Sequence, residues 1–337
     1  MKHGILVYLV EKETHIKLLD CSTRDGGHLN KWHLDPQLAK KTYVAAKMAG
    51  VSIYEIGYRY PDAMIGLGPL GYCSDAFVDT LIAEDRSEEC LISVMMDTGK
   101  SETHQFGYAS DSPISMVRVA AYPYELEKAF WQVEELVNKG YQVFLNPMAS
   151  SELTKDHFTS LRQWKGKELL QAIYFADSFG TYTPLDVMEN MDKFHDAGFE
   201  HLGFHAHNNL QMAVANTLWA VDNGIEYVDA TAFGIGRGAG NAPIEIVIGL
   251  LNRKGYNLNI FPYLELAHDY YEKLFKELNW AIKPQTVMGG LKNIHPYYME
   301  DLIARGMPFK QMWDLLDRIK QECPISYSKT AVANLLE

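Results

Sequence analysis

One short segment combines several side chains that can bind metals or transfer protons. Asp20–His28 contains two aspartates, an arginine and a histidine beside the pair Gly26-Gly27. Carboxylates and imidazoles bind divalent metals, and histidine exchanges a proton near neutral pH. The same residues also fit a turn in which Arg24 pairs with Asp20, so this segment alone leaves both interpretations open.

A second segment, His205-Ala206-His207, carries two histidines separated by one residue and is followed by two asparagines. In a β-strand, residues two apart point to the same side, so both imidazoles can reach one ion. Imidazole is a common nitrogen ligand of metals in proteins. A polar turn is the alternative explanation.

A third segment, Gly234–Pro243, has four glycines within seven residues, at 234, 236, 238 and 240. Glycine lets the backbone approach a ligand closely and offers amide groups to an anion such as a carboxylate or phosphate. The spacing does not match a Walker loop or a dinucleotide-binding fingerprint. A tight connecting loop explains the glycines equally well.

The elements that must position these segments follow a repeated strand–helix pattern. Apolar runs, rich in Val, Ile and Leu and spaced roughly 25–40 residues apart, predict buried parallel strands. The predicted strands are Ile16–Cys21, Ser52–Ile56, Leu91–Met96, Ser115–Ala120, Tyr141–Asn146, Gln171–Ala176, His201–His205 and Glu226–Ala230. Eight units and no ninth predict an α/β fold, a closed (β/α)8 TIM barrel.

Amphipathic segments between these runs predict helices, several of which end at a glycine. These helices are Asp35–Met48, Glu125–Lys139, Thr183–Ala197 and Leu210–Asn223, with Gly50, Gly140, Gly198 and Gly224 after them. Beyond residue 255 the pattern changes to helices at Tyr263–Leu278, Tyr298–Arg305 and Lys310–Cys323, with breaks at Gly289-Gly290 and His295-Pro296. We therefore expect a catalytic barrel of residues 1–255 and a helical C-terminal extension of residues 256–337. The apolar run Gly4–Val10 predicts an N-terminal strand.

In such a barrel, catalytic groups lie at the C-terminal ends of the strands. Strands 1, 7 and 8 are neighbours after closure, so the three polar segments are expected to meet on one side of that face. One carboxylate and two imidazoles, from Asp25, His205 and His207, would hold a metal and leave positions open for substrate.

At these residues the sequence resembles the HMG-CoA-lyase-like superfamily, also called DRE-TIM metallolyases. The family signature Asp-x-Thr/Ser-Leu-Arg-Asp-Gly is matched by Asp20–Gly26, and the His-x-His and Gly-Asn motifs are matched as well; the resemblance spans roughly residues 16–250. It implies metal ligation by Asp25, His205 and His207, with Asn241 as a candidate further ligand or substrate contact, alongside Gly238. The implied cofactor is Mn²⁺ or Mg²⁺, with Co²⁺ and Zn²⁺ as alternatives.

His28 stands where members of the family that handle thioesters carry glutamine, and this resembles the 4-hydroxy-2-oxovalerate aldolase branch. The resemblance implies cleavage or formation of 4-hydroxy-2-oxo acids, giving pyruvate and an aldehyde. His28 would be the base for the substrate hydroxyl, and Arg24 a fixed positive charge beside the substrate oxygen. Glu55 would either orient Arg24 or form a structural ion pair.

The C-terminal extension departs from that branch, which has a functional tyrosine there. Lys292 falls about where this tyrosine would lie, and Tyr297 or Tyr298 could replace it or simply pack. The departure leaves open both the substrate and an aldehyde dehydrogenase partner. A homo-oligomer is expected from the family.

Three other functions fit less well. An acyl-CoA condensing synthase of the same superfamily would carry glutamine at residue 28, and a catalytically silent scaffold would have lost its ligands. A barrel zinc hydrolase would need further ligands from other strands.

The composition excludes some classes of partner. The net charge of −12 argues against nucleic-acid binding, and 47% hydrophobic with 22% charged residues is typical of a globular protein. Four cysteines without paired spacing predict a reducing, cytoplasmic location, and we expect no membrane association.

Overall fold

The computed structural model describes residues 16–323 and 325–336, and the predicted N-terminal strand Gly4–Val10 lies outside them. Eight parallel strands close into one barrel in chain order, so that β1 pairs with both β2 and β8. The strands are β1 Lys17–Asp20, β2 Ile53–Tyr58, β3 Leu91–Asp97, β4 Met116–Ala121, β5 Gln142–Pro147, β6 Ala172–Asp177, β7 Leu202–Ala206 and β8 Tyr227–Ala230. The predicted TIM barrel is confirmed, and no strand boundary differs from its prediction by more than two residues.

Helices follow the strands and surround the barrel. Those up to the last strand–helix unit are α1 Ser22–Gly26, α2 Pro36–Ala49, α3 Pro69–Tyr72, α4 Asp75–Ile82, α5 Leu126–Asn138, α6 Lys155–Gln163, α7 Pro184–Asp196, α8 Ala213–Asp222 and α9 Ile244–Asn252. The C-terminal helices are α10 Phe261–Leu266, α11 Glu272–Leu278, α12 Pro284–Leu291, α13 Pro296–Ala304, α14 Phe309–Glu322 and α15 Lys329–Leu336. Among the described residues, no helix is long and apolar enough to cross a membrane.

Helix α2 shows how local sequence sets these boundaries. The side chain of Asp35 accepts a hydrogen bond from the Gln37 amide at 2.9 Å, and Pro36 occupies the first helical position. Gly50 ends the helix with a φ of 79°, which a residue with a side chain rarely adopts. The chain then enters β2 directly, so the helix fixes the start of the next strand.

The side chains that fill the barrel interior change from aromatic to charged along the barrel axis. Near the N-terminal ends of the strands it is filled by a cluster that includes Phe144, Tyr174 and Tyr227. The Tyr174 ring occupies the space where a Cβ on Gly203 would come within 2.4 Å, so a glycine is needed there. Arg118 lies with its guanidinium 4.6 Å from the centre of that ring. The aromatic layer therefore supports a charged layer nearer the C-terminal ends.

The C-terminal helices differ from their prediction in three places, one of which is α15, a helix that was not predicted. The expected helix Tyr263–Leu278 contains a π-helical segment, Ala267–Tyr271, between α10 and α11. The predicted break at Gly289-Gly290 is wrong, because both glycines lie inside α12. A Cβ on Gly290 would come within 3.0 Å of the Gly180 carbonyl oxygen, so this glycine serves close packing rather than a turn.

Helices α12 to α15 share a hydrophobic cluster of their own, whereas α10 packs on the barrel. Glu152, after β5, anchors these helices to the barrel: its Oε1 accepts from Lys320 Nζ at 2.6 Å and from Asn293 Nδ2 at 2.7 Å. The division into residues 1–255 and 256–337 stays a prediction. Buried side chains up to Trp280 belong to the barrel cluster, and those from Met288 onward belong to the cluster of the C-terminal helices.

Candidate metal centre and active site

Asp25 lies in the short helix α1, immediately beyond the end of β1. Its buried carboxylate accepts from Arg24 NH1 at 2.6 Å and, through Oδ2, from the side-chain amide of Asn241. Burial alone would raise the pKa of Asp25, but Arg24 together with His205, His207 and His28 outweighs it and holds this pKa well below its usual range. Asp25 is therefore an anion at the C-terminal mouth of the barrel.

His205 and His207, at the end of β7, each have one ring nitrogen engaged by an acceptor. The Nδ1 of His205 donates to Asp229 Oδ2 at 2.8 Å, and the Nδ1 of His207 donates to the carbonyl oxygen of Asp177 at 2.7 Å. Because both partners can only accept, the proton of each ring resides on Nδ1. Each Nε2 therefore presents a lone pair.

Within the part of the chain that the structure describes, these two buried Nε2 atoms have no hydrogen-bond partner. Together with an Asp25 oxygen they lie within 4.8 Å of one another, and His207 Nε2 is 3.9 Å from Asp25 Oδ2. The Oδ1 of Asn241, nearby, is also buried without a partner. One carboxylate and two oriented imidazoles fit a divalent metal, and unsatisfied buried acceptors are costly without one.

A second group consists of Cys21, His205 and Asp229, whose potential ligand atoms also lie within 4.8 Å of one another. Asp229 Oδ2 is already bonded to Arg118 at 2.7 Å and to His205. Burial raises the pKa of the Cys21 thiol well above its usual range, so this sulfur stays protonated. The Asp25, His205 and His207 group is the better metal site.

Behind the metal ligands, four charged side chains form a closed network. Arg24 Nε donates to Glu55 Oε1 at 2.7 Å, which matches the expected pairing of these residues. Arg118, from β4, bonds to Glu55 at 2.5 and 2.8 Å and to Asp229 at 2.7 Å. Arg118 is fully buried, and sequence reasoning missed it. Its only signal is a cation in the apolar strand Met116–Ala121.

His28 lies beside the metal ligands in an aromatic pocket. Its Nε2 is 4.0 Å from Asp25 Oδ1 and 3.4 Å from the Tyr58 hydroxyl, and its ring meets Trp32 edge-on. Burial, followed by the charge of Arg237, lowers the pKa of His28 well below its usual range. The imidazole is therefore held in its neutral form.

The C-terminal extension adds Tyr297 to this pocket, with its hydroxyl 3.5 Å from His28 Nδ1. Lys292 instead pairs with Asp317 at 2.7 Å, and Tyr298 donates to the carbonyl oxygen of Ser326. Of the three candidates for the family tyrosine, Tyr297 is the one that reaches the site.

The glycine-rich loop folds over the metal ligands. Asn241 forms an isolated bridge with His207, and a Cβ on Gly236 would lie 2.9 Å from Asp25 Oδ2. Gly238 has a φ of 60° and faces Thr286 and Asn209. The three predicted segments therefore meet at one point.

Two further residues at the mouth were not predicted as site residues. His295 is buried, and its Nε2 lies 3.3 Å from the Tyr122 hydroxyl. Arg237, within the glycine-rich loop, stacks on the Tyr297 ring at 5.0 Å. The sequence signal for Arg237 was its position between two glycines of the loop, where we considered only the backbone.

Comparisons with known proteins identify relatives of this chain. The chain is 28% identical over 286 residues to a 4-hydroxy-2-oxovalerate aldolase of Bacillus cereus, covering 82% of both chains. It is 28% identical over 240 residues to an oxaloacetate decarboxylase of Mycobacterium tuberculosis, covering 71% of this chain and 70% of that one.

The carboxyl transferase domain of Rhizobium etli pyruvate carboxylase, solved with pyruvate and biocytin, shares the fold with a TM-score of 0.70 at 14% identity. It covers 96% of this chain, including the C-terminal helices, and 60% of the other. The sequence model of the HMGL-like family matches residues 15–267. The expected resemblance is confirmed, and the chain is an enzyme that belongs to the HMGL-like family.

Proposed function

We propose that this protein is a divalent-metal-dependent aldolase. It cleaves 4-hydroxy-2-oxo acids to pyruvate and an aldehyde, or forms them from these two compounds. One observation carries the proposal. The unpartnered Nε2 atoms of His205 and His207 converge with Asp25 beside a neutral imidazole, His28. This combines a metal site with a base, which aldol chemistry requires.

Asp25, His205 and His207 would hold the ion, and Mn²⁺ or Mg²⁺ suits the set best, with Co²⁺ and Zn²⁺ as alternatives. When bound, it would supply Lewis-acid stabilisation of the negative charge that develops on the substrate oxygens. Arg24 adds a positive charge at the same place, and its pairs with Glu55 and Asp25 fix its orientation. Gly238 and Asn241, from the glycine-rich loop, are the further substrate contacts in this proposal.

In the cleavage direction, His28 takes the proton of the 4-hydroxyl group. As the C4 oxygen becomes a carbonyl, the C3–C4 bond breaks and its electron pair stays with the three-carbon half. That half then gains a proton at C3 to become pyruvate, and the aldehyde departs. The Tyr297 hydroxyl, at 3.5 Å from His28 Nδ1, orients the imidazole.

The relative named oxaloacetate decarboxylase suggests a second reaction for the same site. Loss of carbon dioxide from a 2-oxo acid would use the metal ligands and Arg24 but needs no base for a hydroxyl proton. The neutral His28 next to Tyr297 therefore favours aldol chemistry. An acyl-CoA condensation would instead release a free thiol.

The direct test measures pyruvate release from 4-hydroxy-2-oxo acids with Mn²⁺ or Mg²⁺, and again after EDTA. We expect release that depends on the metal. Release that continues after complete removal of metal would contradict the proposal, as would thiol release from acetyl-CoA in place of pyruvate formation. A homo-oligomer, a cytoplasmic location and an aldehyde dehydrogenase partner are further parts of the proposal.

Replacing His28 by alanine separates the two reactions. We expect aldol cleavage to slow by about 10²-fold or more, because the base is lost, while bound metal is retained. Oxaloacetate decarboxylation should suffer much less. The measurements are pyruvate formation from each substrate and metal content by mass spectrometry.

Asp25→Asn is the matched comparison, and this variant should lose metal and both activities together. A His28→Ala enzyme that cleaves 4-hydroxy-2-oxo acids at a near-normal rate would remove His28 from the mechanism.

A further inference from the structure

Arg237 is a cation at the mouth of the barrel without a counter-ion. Among the residues that the structure describes, none of the ion pairs within 4.0 Å includes Arg237, and its Nε is buried with no hydrogen-bond partner. Its guanidinium stacks on the Tyr297 ring, 5.0 Å from the ring centre. An unsatisfied guanidinium in such a place is costly unless a ligand completes it.

The charge of Arg237 affects two histidines at the mouth of the barrel. The charge of Arg237 contributes, after burial, to the lowered pKa of His28 and of His295. The guanidinium stacks on the Tyr297 ring at 5.0 Å, and the hydroxyl of the same ring lies 3.5 Å from His28 Nδ1. Arg237 therefore lies on the Tyr297 side of His28.

The other charges nearby do not satisfy it. Asp25 and, more weakly, Glu300 on α13 interact with Arg237 electrostatically, but among the described residues neither forms an ion pair with it within 4.0 Å. Lys100, a further cation that lowers the pKa of His28, is already paired with Asp97 at 2.6 Å. The mouth therefore offers one free guanidinium, which matches one carboxylate in a bidentate pair; a phosphate would call for more than one cation.

The proposed reaction fixes which part of a substrate lies there. The metal ligands and Arg24 take the C1 and C2 end of a 2-oxo acid, and His28 marks the hydroxyl on C4. Arg237 lies on the far side of His28, against Tyr297, where the substituent on C4 must extend. We propose that Arg237 binds a carboxylate on this substituent, so that the protein selects 4-hydroxy-2-oxo dicarboxylic acids over those ending in a methyl group. This inference rests on the proposed aldolase function.

The first test measures binding and needs no turnover. Two ligands of equal chain length, 2-oxoglutarate and 2-oxopentanoate, differ in whether C5 is a carboxylate or a methyl group. By calorimetry on the full-length, Mn²⁺-loaded protein we expect 2-oxoglutarate to bind about tenfold more tightly or better. In Arg237→Gln this preference should disappear, and in Arg237→Lys it should return in part.

Arg253→Gln is the matched control, since it removes an exposed arginine just after α9. It should keep the preference of the wild type. Equal affinity of the wild type for both ligands would overturn the inference, as would an Arg237→Gln variant that keeps the preference.

The second test compares glyoxylate with acetaldehyde as the aldehyde that condenses with pyruvate, and follows exchange of pyruvate methyl protons with deuterated water. We expect a higher kcat/KM for glyoxylate in the wild type and loss of that advantage in Arg237→Gln. Metal-dependent exchange without any preference for glyoxylate or 2-oxoglutarate would refute the carboxylate site and leave the aldolase function standing. A binding preference for 2-oxoglutarate without exchange or condensation would refute the aldolase function and leave the carboxylate site standing.

Discussion

His28 lies between two tyrosine hydroxyl groups, one facing each ring nitrogen. Tyr58 comes from the barrel and Tyr297 from the C-terminal extension, at 3.4 and 3.5 Å. The proposed base is therefore oriented by two parts of the chain that are far apart in sequence. An imidazole that must accept a proton from a substrate hydroxyl depends on such orientation, because a small change in its angle removes the hydrogen bond.

Tyr297→Phe removes one of these hydroxyl groups and keeps the ring that stacks on Arg237. We expect kcat for aldol cleavage to fall by about tenfold, because His28 is less well oriented. The measurement is steady-state pyruvate release. Tyr298→Phe is the control, since the Tyr298 hydroxyl bonds to Ser326 within the extension. An equal loss in both variants would mean that the effect comes from packing of the extension.

The three residues that converge at the barrel mouth as candidate metal ligands were predictable at the level of single residues, and several of their neighbours were not. Asp25, His205 and His207 stand in short motifs whose spacing is visible in the sequence. Arg118 and Tyr297 act across the barrel or from the extension, and their importance depends on contacts between residues distant in sequence. Such contacts leave no periodic signal.

At the scale of the elements, the strands were easier to predict than the C-terminal helices. Buried parallel strands are marked by apolar runs rich in Val, Ile and Leu, which recur at regular spacing in this sequence. Gly289 and Gly290 looked like a break, yet they lie in α12, where a side chain would collide with Met299 or with the carbonyl oxygen of Gly180. A glycine that serves close packing and one that serves a turn look alike in the sequence.

The glycine-rich loop gives a prediction for this scale. A Cβ on Gly236 would lie 2.5 Å from Asn241 Nδ2 and 2.9 Å from Asp25 Oδ2, so Gly236→Ala must displace one of these side chains. We expect Mn²⁺ affinity, measured by calorimetry, to fall about tenfold or more. Gly107→Ala is the control, because a Cβ there meets nothing within 4 Å. Unchanged affinity in Gly236→Ala would show that the loop does not hold the metal ligands.

At the scale of the whole molecule, Arg118 joins β4 to Glu55 on β2 and Asp229 on β8 across the barrel interior. Arg118→Met would leave two buried carboxylates with one fewer partner. We expect the free energy of unfolding, from urea denaturation, to fall by about 3–5 kcal/mol.

Lys254→Met removes an exposed partner of Asp222 and should change the free energy of unfolding by about 1 kcal/mol or less. A similarly small loss in Arg118→Met would show that the buried carboxylates find other partners or take up protons.

The positions of the metal donors along the chain constrain how the protein can assemble. Asp25 belongs to the first strand–helix unit, the two histidines to the seventh and Asn241 to the eighth. They meet only when β1 and β8 have paired, which closes the ring. A growing chain on the ribosome therefore cannot hold the ion at this site until nearly the entire barrel has emerged. Neither half of the barrel alone contains all of the candidate metal donors. Metal loading thus reports on a finished fold rather than guiding its formation.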